Sequence, residues 1–200
     1  MMAFFMPFYK KYKAALILRK MALIGLFVSI AVAAWANPNT LQIISAELVP
    51  VEESYAVNAQ LEMNFNTEVE DALNKGIPLT FLVEFQLYIP HRYWFDDEVV
   101  TTTNQITLSY HALSRQYLIN QGNHQQTFAT ILEAKEEFTH IHDWLVFEKA
   151  LLKKDKNYRA RLMVKLDQSK LPKPLQVEAM SSENWKMVSE RFMWTPTFAL

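Results

Sequence analysis

Residues 55–65 read Tyr-Ala-Val-Asn-Ala-Gln-Leu-Glu-Met-Asn-Phe, and their alternation decides the fold class. Tyr55, Val57, Ala59, Leu61, Met63 and Phe65 fall on one side of an extended chain, with Asn58, Gln60, Glu62 and Asn64 on the other, which is the period of a half-buried strand. The pattern recurs in Leu79, Phe81, Val83, Phe85, Leu87 and Ile89 against Thr80, Glu84, Gln86 and Tyr88. It returns in Tyr158, Ala160, Leu162, Val164 and Leu166 against Arg159, Arg161 and Lys165. One-sided burial belongs to antiparallel sheets, because parallel strands covered on both faces read as continuous apolar runs. Noisier strands are expected over residues 41–49, 99–110, 114–120, 144–152 and 185–195. The expectation is therefore an α+β, mainly β chain: an antiparallel two-layer β-sandwich-like domain of about eight strands.

Two helices are predicted between the strands. Thr67 and Glu70 read as a capping box, Val69 and Leu73 share a side, and Gly76 with Pro78 supplies a stop. A second helix is predicted from about Thr127 to Thr139, with Phe128, Ile131, Ala134 and Phe138 recurring at helical steps. Residues 153–157 read as a hairpin loop, and residues 121–123 as a turn. No linker or repeat divides the chain after its leader.

That leader is residues 1–36. It holds five Lys or Arg and no acid, then an apolar run over residues 21–34, then Ala34-Trp35-Ala36. Small residues at −3 and −1 predict signal-peptidase cleavage after Ala36 and residence in the periplasm. The apolar run is shorter than the roughly twenty residues that span a bilayer; only an uncleaved leader would tie the chain to the membrane. The remainder, 37–200, is expected to form a single domain with fifteen bases against twenty-one acids. This acidic balance argues against nucleic acid or an anionic membrane surface as the main partner. The chain has no cysteine, so no disulfide supports the fold.

Only Gly76 and Gly122 remain after the leader, too few for a phosphate-cradling loop. The nucleophile elbow of the hydrolases is missing for the same reason, and thiolate chemistry is excluded. No cofactor is implied. His140-Ile141-His142 offers a weak metal pair if it lies on a strand, where residues two apart point the same way. At the end of the second helix the two would diverge and simply face the negative end of the dipole. Asp96-Asp97-Glu98 reads as a solvated turn, since neither calcium nor a glycosidase-type pair is satisfied by adjacent carboxylates alone.

Three segments are candidates for partner binding. In the first, if the strand from Leu79 continues past Pro90, Tyr93 and Phe95 stay inward while Arg92 and Trp94 face out, with Asp96 following. An outward Trp beside an Arg is the composition of a binding hot spot; the plainer reading is a Trp covered by another layer. In the second, Arg115, Gln116 and Tyr117 form part of a polar and aromatic surface or of an ordinary cross-strand pairing. In the third, Pro172-Lys173-Pro174 is expected to be extended, either as a rigid connector or as an exposed docking strip.

Gly76-Ile77-Pro78-Leu79, Arg92-Tyr93-Trp94 with the acids after it, residues 108–117 (Leu-Ser-Tyr-His-Ala-Leu-Ser-Arg-Gln-Tyr) and residues 166–176 (Leu-Asp-Gln-Ser-Lys-Leu-Pro-Lys-Pro-Leu-Gln) together resemble the bacterial family known as domain of unknown function 4390. The resemblance covers nearly all of the chain after the leader. It departs at Lys135, where the family pattern has a leucine. It implies an exported proteobacterial protein whose gene often neighbours that of a membrane sensor histidine kinase, and it brings no activity with it. The expected function is a non-catalytic periplasmic binding or accessory module, with a membrane sensor kinase or another envelope protein as partner. The alternatives are a metal-dependent enzyme at His140 and His142, or a small-ligand or lipid carrier with a cavity between its sheets.

Overall fold

The structure, a computed structural model, describes residues 40–198. The expected leader and its cleavage point after Ala36 lie outside the described residues.

Nine strands form two antiparallel sheets: β1 (Thr40–Val51), β2 (Ser54–Asn64), β3 (Leu79–Ile89), β4 (Asp97–His111), β5 (Gln116–Gln121), β6 (His124–Phe128), β7 (His140–Glu148), β8 (Arg159–Leu166) and β9 (Phe192–Trp194). The helices are α1 (Thr67–Asn74), α2 (Ile131–Phe138) and α3 (Lys173–Ser181). One sheet has the order β1-β2-β7, the other β6-β5-β4-β3-β8-β9. The alternating residues meet as their period requires. Phe81 pairs with Ile106 on β4 and Leu166 on β8, and all three are buried. Between the layers Phe85 stacks on Phe147 with ring centroids 6.1 Å apart, and Phe65 on Phe81 at 6.3 Å. Each fully buried ring contributes about 1.5–3 kcal/mol. Buried side chains form one continuous core, and a cleft of about 400 Å³ opens between the edge strands β1 and β9, along Leu41, Ile43 and Phe192.

Helix α1 is capped by Asn66, one residue before the expected Thr67: its Oδ1 accepts the Val69 N–H at 2.8 Å. Glu70 is released from the predicted capping box and meets Lys135 Nζ at 3.3 Å. The helix ends as predicted at Gly76. With φ +87° the glycine lets its own N–H reach the Leu73 carbonyl and that of Ile77 reach Ala72.

Helix α2 is shorter than expected, because residues 124–128 form β6 and pair with β5, Tyr117 opposite Phe128. Phe128 satisfies a helical spacing and a strand spacing alike. Thr130 is the true cap, accepting from Glu133 N–H at 3.2 Å while Glu133 Oε2 accepts from Ala129 N–H at 3.1 Å. Lys135 lies with Nζ 4.6 Å from the Phe65 ring centroid, so its stem covers the aromatic.

Three further expectations are corrected. Helix α3 occupies a stretch expected to be extended. Pro172 is extended at the N-cap, but Lys173 and Pro174 are already helical, as proline permits in a first turn whose N–H groups lack intrahelical partners. The expected strand over residues 185–195 shrinks to Phe192–Trp194, preceded by a 3-10 turn over Glu183–Trp185. Residues 153–157 are no hairpin loop, since β7 and β8 belong to different sheets.

Candidate partner-binding surfaces

The register places the three candidate segments at two ends of the sandwich. At one end Ile89 pairs with Asp97, closing a seven-residue loop, 90–96, at the tip of the β3–β4 hairpin. Beside it, Tyr88 pairs with Arg159, bringing up the β7–β8 connection with exposed Lys153, Lys154 and Lys156. At the other end Leu79 pairs with Leu108, and the β4–β5 turn, α1 and the start of α3 gather there. Thr40 pairs with Asn64, which leads into α1, so the described chain also begins at that end. The ends are separated by the fifteen residues of β4, about 45 Å at roughly 3.3 Å per residue.

Strand β3 stops at Ile89 instead of continuing past Pro90, so the expected division into inward Tyr93 and Phe95 and outward Arg92 and Trp94 does not occur. Proline cannot donate to the ladder, which ends before it. All three aromatics stand in solvent: Tyr93 is 80%, Trp94 83% and Phe95 97% exposed. Among the described residues no sheet or helix covers Trp94. Arg92 lies over the Tyr93 ring, 5.6 Å from its centroid.

The base of the loop is tied. His91 N–H donates to Asp96 Oδ1 at 3.3 Å, and His91 Nε2 lies 2.8 Å from Asp97 Oδ2. Glu98 is held from below, accepting from Gln86 Nε2 at 2.7 Å and Thr101 Oγ1 at 2.8 Å, while Arg161 donates to Gln86 and spreads over the Tyr88 ring. Glu98 is thus turned toward its own sheet, while Asp96 and Asp97 close the base of the loop and stay exposed.

At the opposite end Tyr117 packs against its cross-strand partner Tyr110, rings 4.8 Å apart, and donates to Asn74 Oδ1 at 2.6 Å. Burial chiefly, then Tyr110 and Glu70, raises the Tyr117 phenol above its ordinary 10.0. This is cross-strand pairing, the plainer of the two readings. Arg115 occupies the left-handed region at φ +54° in the turn, next to exposed Leu113, with Gln116 exposed after it. Pro172, Lys173 and Pro174 are exposed, but the segment is fastened from behind: Gln176 Nε2 donates to the carbonyls of Ser169 and Leu171.

His140 and His142 lie on β7, which begins directly after the end of α2, and their rings stack with centroids 5.8 Å apart. A carbonyl only accepts, so the 2.8 Å contact of His140 Nδ1 with the Glu136 carbonyl puts the proton on Nδ1 and caps the end of α2. Among the described residues no group of three or more His, Cys, Asp or Glu converges to hold a metal. A cavity of about 40 Å³, too small for a lipid chain, lies beside His140 and Phe138. An open groove of about 600 Å³ runs between α3 and the end of β8, walled by Met180, Lys186 and Val188, which the sequence did not point to.

Fold and surfaces together define a two-layer antiparallel β-sandwich domain whose most exposed apolar element is a hairpin tip. The family model for a domain of unknown function, DUF4390, matches residues 39–195, and the chain belongs to that family. No curated protein and no solved structure matches it.

Proposed function

We propose that this protein is a non-catalytic binding or accessory module of the cell envelope, exported by its leader, that works beside a membrane protein. The extracytoplasmic part of a sensor histidine kinase is the partner class to test first. The observation that carries the reading is the loop Arg92-Tyr93-Trp94-Phe95, whose three aromatics are displayed to solvent on a tied base. Contiguous exposed aromatics are costly to leave in water and mark a surface that another body covers.

In-cell crosslinking from a photoreactive residue at position 93, read by mass spectrometry, tests the proposal. One dominant membrane-protein adduct supports it; no protein adduct from expressed, folded protein overturns it.

A further inference from the structure

Tyr93, Trp94 and Phe95 are consecutive, so their side chains splay in different directions from one turn of loop, and each is at least 80% exposed. A medium that accepts apolar groups from every direction receives all three together.

The side-chain types fit one medium in particular. Tyr and Trp carry an apolar body with a polar edge and concentrate where bilayer headgroups meet acyl chains, while Phe sits slightly deeper. Arg92, stacked on Tyr93, lies at the depth where lipid phosphates would be. Each neighbouring acid has a partner at or below the base of the loop: Asp96 and Asp97 meet His91, and Glu98 meets Gln86 and Thr101 of the sheet. The tip presents three aromatics and one guanidinium, while Asp97 at its base stays 69% exposed and Lys153, Lys154 and Lys156 stand exposed on the adjacent connection. The tie across its base orders the loop before binding, which lowers the conformational cost of insertion.

We infer that residues 92–95 are a membrane-surface contact, the tip entering the lipid headgroup–acyl boundary of a bilayer. The inference deepens the proposal above, on which it rests, by naming what the aromatic tip itself touches beside a membrane partner. Insertion is driven by aromatic burial, so it occurs on zwitterionic lipid, where it is insensitive to salt. It therefore needs no net positive charge, in keeping with a chain that is acidic after its leader.

The absence of cysteine allows a clean test with the full chain. Phe95→Cys and, at the opposite end, Ser114→Cys are each labelled with an environment-sensitive fluorophore and mixed with vesicles of phosphatidylethanolamine and phosphatidylcholine, with and without phosphatidylglycerol. The expected result is a blue shift and quenching by lipid-borne quencher at position 95 and neither at 114. On vesicles without phosphatidylglycerol the apparent affinity should be equal at low and high salt and fall at least tenfold on adding Trp94→Ser, with an unchanged melting temperature. A probe at 95 that stays aqueous, or a response that requires phosphatidylglycerol and vanishes with salt, overturns the inference. The two proposals fail separately. An aqueous probe together with a dominant protein adduct at position 93 removes the lipid contact and leaves the partner. Lipid insertion without any protein adduct removes the partner and leaves the lipid contact.

Discussion

His91 Nε2 and Asp97 Oδ2 lie 2.8 Å apart across the base of the aromatic loop, joining the first residue after Pro90 to the first residue of β4. Both side chains are substantially exposed, so the pair is worth less than about 1 kcal/mol to the fold. Its larger effect is on the loop, whose ends it holds together. His91→Ala should leave the melting temperature within about 2 °C of the parent while lowering crosslinking yield from position 93. A large loss of stability in thermal denaturation would show that the pair belongs to the fold instead.

Trp94 touches nothing that the sandwich needs, so Trp94→Ala should abolish capture of a partner with little change in stability, within about 0.5 kcal/mol. Arg115→Gly is the contrasting variant. It relieves a left-handed backbone at φ +54° and should stabilise the chain by about 1 kcal/mol. Because the turn stands at the far end of β4, capture from position 93 should be untouched. Denaturant midpoints and crosslinking on the same preparations check both, and loss of capture in the Arg115 variant would mean that the two ends act together.

Trp185 is 1% exposed and donates its indole N–H to Glu68 Oε1 at 2.5 Å, while Asn184 Nδ2 reaches Glu68 Oε2 at 2.8 Å. One carboxylate on α1 thus fastens the 3-10 turn 117 residues further along the chain. Glu68→Ala strands a buried donor and should cost about 2–3 kcal/mol, visible as a lowered urea midpoint with unchanged slope. A change under 0.5 kcal/mol would mean that water replaces the carboxylate without penalty.

The raised Tyr117 phenol gives a prediction for alkaline pH. Burial disfavours the phenolate in the folded state, so the unfolded chain loses its proton first. The associated stability is fully present below the ordinary 10.0 and is lost as pH rises through the folded value. Tyr117→Phe should lower stability at neutral pH by about 1 kcal/mol, through loss of the bond to Asn74, and flatten the decline above pH 10. Absorbance titration of the phenolate should lose its highest-pH component. An unaltered titration curve would place that component on another tyrosine.

The strands that carry most of the core could be read from residue order because their periodicity is strong. Leu79 to Ile89 alternates at every position but Leu82 and forms a strand with those same bounds. Where a residue fits two periods the reading failed: Phe128 suits a helix beginning near 127 as well as the strand it occupies. The short cap at Thr130 was the signal that separated them. Pro172-Lys173-Pro174 misled for a related reason, since two prolines suggest extension although the first turn of a helix tolerates them. Among the candidate surfaces, the composition of residues 91–96 was legible, but its exposure was not. Exposure depends on where β3 ends and on what else covers the loop.

The order of residues by itself determined a β-rich chain with one wet face on each sheet, and the composition of its binding candidates, because alternation and residue type are local properties. Only the tertiary structure decided that those candidates stand at opposite ends of the sandwich, that Tyr117 is engaged by Tyr110 and Asn74, and that Tyr93, Trp94 and Phe95 are left uncovered. Those outcomes follow from strand register and sheet order, which pair residues tens of positions apart and leave no periodic trace in the chain.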